Sequence, residues 1–164
     1  MNKFSRLGLI CLLAFSGRQA VAAAPPTIAV FDFALIDTSP APPSDAERAR
    51  LAALGTELRA RLARSGRFQV VDSAPARPAL AKLPDIMNCN GCERPLARQL
   101  GASEAAYGWV QKVSDLILNI NVVIEDVDSG RKLAAGSVDI RGNTDESWRR
   151  GLDYLLEERI LPTP

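Results

Sequence analysis

The 164-residue chain contains no histidine. That absence removes the side chain most often used as a general base near neutral pH, and with it the serine triad and the histidine-containing zinc sites. Neither a glycine-rich phosphate loop nor a dinucleotide fingerprint occurs. No apolar run reaches the roughly 20 residues that a bilayer-spanning helix needs. Cysteine is scarce, at three, and basic charge is not in excess, with 20 Lys and Arg against 19 Asp and Glu. These gaps exclude most familiar catalytic sites and the electrostatic footprint of a nucleic-acid or anionic-membrane binder. The chain therefore reads as non-enzymatic, with no cofactor, no metal site, no nucleic-acid partner and no stable membrane insertion of the mature form.

What is present begins with a positive start at Lys3 and Arg6, an apolar run from Leu7 to Phe15, and small residues from Ala20 to Ala24 ahead of Pro25 and Pro26. This is the three-part plan of a secretory signal peptide, expected over residues 1–24, with one domain in the periplasm over residues 25–164. Ile10 precedes Cys11, where a lipidated cysteine requires a small residue, so Cys11 is expected to leave with the signal. Cleavage takes three of the basic residues and none of the acidic ones, leaving 17 against 19. It also leaves Cys89 and Cys92, for which a disulfide is the default reading in an oxidising compartment. A thiol exchange centre, or half of an intermolecular metal site, are the alternatives.

Ile28 to Leu35 (IAVFDFAL) is an apolar run suited to a central strand covered on both faces, with Asp32 inside it as a candidate buried functional acid. After a proline-rich loop, Ser44 and Glu47 form a capping box, and Leu51, Leu54, Leu58 and Leu62 follow at helical spacing up to Gly66. The arginines on its other faces alternate with acids, as on a solvated surface. FQVVD is a second short strand, and residues 73–87 read as a surface loop with at most one helical turn. A short helix follows the cysteine pair and ends at Gly101. Ala105 to Val113 is the third strand. In Leu116 to Val127 the period is two: Leu118, Ile120, Val122 and Ile124 face one way, and Asn119, Asn121 and Glu125 the other. A turn at Asp128-Ser129-Gly130 leads into Lys132 to Ile140, and Asn143 or Thr144 caps a last helix whose stripe is Trp148, Leu152, Leu155 and Leu156. The order predicts a single α/β domain with a mixed sheet of about five strands, partly parallel and partly an antiparallel meander, packed with two main helices and one short one.

Asn119, Asn121, Arg141, Asn143, Asp145 and Trp148 form a candidate binding surface on the wet strand face and the start of the last helix. Helix capping and a core tryptophan are the structural alternative for the same residues.

With GWVQKVSDLILNIN, DVDSG and SVDIRGNTDESWRRGLDYLL in view, the chain resembles a family of small secreted proteobacterial proteins of unknown function. The likeness extends to AVFDFALIDTS, SGRFQVVD and the NGC segment. More distantly, the succession IAVFDF, LRARLARSGRFQVVD and LGASEAAYGWVQKV is similar to the periplasmic α/β domain of the translocation protein TolB and of the curli secretion lipoprotein CsgG. That resemblance implies a scaffold that binds partners or assembles at the envelope, without chemistry. The function expected is a non-enzymatic periplasmic accessory protein acting through protein–protein contacts. The alternatives are a thiol-disulfide accessory using Cys89 and Cys92, and a small-molecule-binding module.

Overall fold

The structure, a computed structural model, describes residues 23–40, 42–82 and 91–162. Residues 1–22 of the expected signal peptide, and Cys89 of the expected disulfide, therefore lie outside the described residues.

One extra residue near the start of the domain sets the relation between its layers. The first apolar run is two strands rather than one, β1 (Thr27–Val30) and β2 (Ala34–Asp37). Both lie parallel to β4 (Glu104–Ser114), with Val30 opposite Ala106 but Ala34 opposite Trp109. Four steps on one side thus match three on the other, which is a β-bulge. Its effect is a change of face: Val30 and Phe33 lie in one hydrophobic cluster, Ala29 and Phe31 in the other. Asp32, the residue between the phenylalanines, is expelled. It is exposed and ion-paired with Arg59, so the expectation of a buried acid is corrected. The run is apolar on both faces, and nothing in its pattern marks where the side chains change sides.

β3 (Gln69–Val71) pairs parallel with β1, and β4, β5 (Ile117–Asp126) and β6 (Lys132–Ile140) form the expected antiparallel meander. The result is a six-stranded mixed sheet in the order β3-β1-β4-β5-β6, with β2 beside the far half of β4. One face is covered by α1 (Asp45–Arg64) and by α4 (Asp145–Leu155), which continues as a π-turn through Leu156–Ile160. Leu54, Leu58, Leu62, Trp148, Leu152 and Leu155 pack there on Val110, Leu118, Ile120 and Val122. Each leucine buried to this degree contributes about 1.5–3 kcal/mol. Where α4 comes closest to the sheet it carries Gly151, whose added Cβ would lie 2.5 Å from Ile140 Cγ2.

The described residues cover the other face only in part. A 3-10 turn (Ala74–Ala76), α2 (Arg77–Leu80) and α3 (Glu93–Gln99) close over Ala29, Phe31, Ala105 and Val127. The segment read as a loop thus contributes to a second core. The cap of α1 is as expected: Ser44 Oγ accepts from Glu47 N–H, and the Glu47 carboxylate accepts from Ser44 N–H. On α4 the cap is Thr144, which accepts from Ser147 N–H, and Asn143 serves elsewhere.

Candidate functional site

Lys112 enters the helix-covered core from β4 and is nearly inaccessible. Its Nζ lies 2.6 Å from Glu47 Oε1, 3.5 Å from Asp37 Oδ2 and 3.4 Å from Asp115 Oδ1. Asn143 completes the group. Its Nδ2 donates to Glu47 Oε1 at 2.7 Å and to Asp115 Oδ1 at 3.0 Å, while its Oδ1 accepts from Arg50 and from Trp148 Nε1, both at 3.0 Å. The contact with Glu47 raises the Lys112 pKa against the lowering effect of burial. Burial pushes Glu47 up, but the bonds from Lys112, Ser44 and Asn143 outweigh it and hold the carboxyl at about 2. An ammonium held this firmly in its charged form is no base or nucleophile; it ties β2, α1, β4 and the start of α4 together.

This network divides the predicted surface. Asn143, Asp145 and Trp148 belong to it: Arg50 bonds Asp145 at 2.6 Å and lies 5.9 Å from the centre of the Trp148 ring. Trp148 is 1% exposed, so it is a core residue and not the aromatic of a wet patch. It does contribute, with Leu54 and Leu152, to a cavity of about 660 Å³ between α1 and α4, bordered by the Arg50–Asp145 and Arg61–Asp153 pairs. The helix arginines read as a solvated face are largely pinned in such pairs, Arg61 also to Glu157 and Arg64 to Glu57. Arg141 stands apart, exposed in the turn after β6, with its carbonyl accepting from Ser147 Oγ at 3.0 Å.

Asn119 and Asn121 lie on the opposite side of the sheet. Cross-strand register sets Trp109, Asn121 and Ser137 in one row and Gln111, Asn119 and Asp139 in the next. Asn121 Nδ2 donates to Asn119 Oδ1 at 2.5 Å, and Asn119 Nδ2 donates to Asp139 Oδ1 at 2.8 Å. Trp109, half-buried, is the aromatic of this face, and it was legible from the odd-numbered alternation Tyr107, Trp109, Gln111. The adjoining β4–β5 tip exposes Val113 (50%), Leu116 (72%) and Ile117 (48%).

Toward the other end of the same face, Glu125 is covered by α3. Burial and the hydrogen-bonded, like-charged Glu93 push its carboxyl up to about 7, with Arg94 and Lys132 acting in the other direction. Tyr107 beside them is raised to about 12 by burial and by the two acids. Arg94 lies in the first turn of α3, its Nε 4.0 Å from Glu125 Oε1 and its guanidinium against Gly91 and Gly130. Cys92 immediately precedes α3, half-buried. Among the described residues there is no cluster of three or more potential metal ligands, and no helix is long and apolar enough to cross a membrane.

A family model described as "Protein of unknown function (DUF2380)" matches residues 26–160. No curated protein matches the chain in sequence. Among solved structures, the LpoB C-terminal domain from Salmonella enterica is similar at 17% identity and a TM-score of 0.52, over 74% of this chain and 86% of that one. The lipoprotein GNA1162 from Neisseria meningitidis is similar at 18% identity and 0.52, over 74% and 84%. The PelC dodecamer from Paraburkholderia phytofirmans is similar at 14% identity and 0.50, over 82% and 86%. At these identities the likeness is one of fold.

Proposed function

We infer that this chain, which belongs to the family described as "Protein of unknown function (DUF2380)", is a non-enzymatic accessory protein of the cell envelope that works by binding another protein. The observation that carries the reading is the half of the sheet that none of the described residues covers. A half-buried tryptophan and a half-buried Asn119, itself bonded by the buried Asn121, share this face with three exposed apolar side chains at the adjoining hairpin tip. Aromatic anchors beside adaptable amides suit recognition of a protein surface. The groups whose ionisation is perturbed face other groups of the protein, so their chemistry is spent on holding the fold. A periplasmic setting agrees with the expected signal peptide at residues 1–24, and with a fold shared with a protein titled a lipoprotein. In the same reading Cys89 and Cys92 form a structural disulfide that pins the segment before α3, which itself docks on the sheet through Glu93 and Arg94.

The test is photo-crosslinking in the periplasm. A photoreactive residue at Leu116 or Gln111 should give a discrete adduct that Trp109→Ala abolishes, whereas one at Ala63, exposed on α1, should give none. Equal labelling at the two faces, or no adduct at Leu116 and Gln111, would sink the reading.

A further inference from the structure

Among the described residues, β6 is the last strand of the sheet, with β5 on one side and no strand on the other. At nine residues it is about 30 Å long. Edge strands are normally protected by proline, by inward-pointing charge or by shortness. The sequence KLAAGSVDI has no proline, and its only charges stand at or near its two ends, Lys132 and Asp139. No other backbone group among the described residues bonds to it from the open side. Its middle, Ala134 to Ser137, is made of small side chains that let a second strand approach on both faces.

We propose that β6 pairs with β6 of a second copy of this chain, antiparallel and about a twofold axis at Gly136, joining two sheets into one. The charge pattern selects this occupant. A bulge at Leu133 puts Lys132 on the same face as Glu125. Counting outward from Gly136, Ala134 then meets the partner's Val138, Ala135 meets the partner's Ser137, and Lys132 meets the partner's Asp139. Both ends of the ladder therefore carry opposite charges, a match that follows from self-pairing of this one strand. The apolar surface agrees. Leu133 and Tyr154, 37% and 52% exposed, flank the edge, and a cavity of about 450 Å³ with Val138, Ile140 and Tyr154 on its wall and Arg141, Glu146 and Arg150 around them lies beside its far half. The pairing carries Leu133 of each copy toward that cavity in the other. This inference does not rest on the docking face proposed above, which Asp139 borders through its bond from Asn119.

Sedimentation equilibrium of the purified protein, from micromolar to near-millimolar concentration, should show a reversible monomer–dimer equilibrium. Asp139→Lys sets like charges opposite each other at both ends and should weaken the dimer at least about tenfold. The double change Lys132→Asp with Asp139→Lys should restore it, which separates pairing from any effect on folding. A monomer throughout, or a dimer indifferent to both changes, overturns the proposal. Crosslinking at Leu116 is read on the chain with Lys132 and Asp139 unchanged, so that its failure is distinguishable from failure of the dimer.

Discussion

Lys112 shows how much of this molecule rests on single side chains. Its replacement by methionine keeps the length of the stem and removes the charge, leaving Glu47 buried without its cation. Breaking a buried pair in this way costs about 3–5 kcal/mol, more than loss of an N-cap such as Thr144, at about 1 kcal/mol. Urea unfolding of Lys112→Met against Thr144→Ala checks the order; equal losses would show that the network contributes little. Glu47 carries a linked pH effect. Its folded pKa lies below the unfolded value, so its contribution is present above about 4.5 and is lost as pH falls toward 2. The sequence displayed one half of its role. Ser44 and Glu47 announce a capping box by spacing alone, but a lysine in a strand far along the chain gives no sign of facing inward. Trp148 was legible as part of an apolar stripe and was over-read as a recognition residue, because its indole N–H bonds Asn143 inside the core rather than an outside partner.

At the scale of the elements, the one-residue bulge between β1 and β2 carries the consequence. Asp32→Ala loses only an exposed ion pair and should cost less than about 1 kcal/mol. Deleting Asp32 is different. Without the extra residue Phe33 and Leu35 move to the face already filled by Ala29 and Phe31, and every contact between β2 and the helices is lost. The deletion should abolish cooperative thermal unfolding by circular dichroism, and retention of a sharp transition would refute the account. Strand and helix positions were otherwise legible where one face is polar: β5, β6, α1 and α4 all fall within a residue or two of their periodic patterns. The Pro- and Ala-rich segment after β3 lacks such a period, which concealed that it lays Ala76 and Leu80 against a second core.

For the molecule as a whole, the two faces of the sheet differ in how firmly they are closed. The helix-covered side is locked by a charged network that neutral pH leaves intact. The side under α3 depends on Glu93 and Glu125 lying together, and Glu125 is raised to about 7. A carboxyl with a raised folded pKa contributes stability that is complete below its unfolded value and is lost as pH rises through the folded one, here between about 4.5 and 7. Hydrogen exchange, corrected for its intrinsic pH dependence, should show α3 less protected at about pH 7.5 than at about pH 4.5 while β4 and β5 keep their protection, and Glu125→Gln should remove the difference. Uniform protection at both pH values would contradict this. The mixed sheet itself could be read from element order, since a helix between strands implies a parallel pair and short turns imply hairpins. Its uneven covering could not, because the buried Glu125 and the half-buried Asn119 stand on the same alternating strand. Asn143 carries one last implication, for ageing. All four hydrogen-bonding positions of its amide are engaged, so the side chain is not free to turn its carbonyl carbon into reach of the Thr144 backbone nitrogen, whose attack would expel ammonia. Spontaneous deamidation of Asn143 is thereby confined to molecules that have come unfolded, and the aspartate it leaves would face Glu47 and Asp115 and hinder their return to the native state.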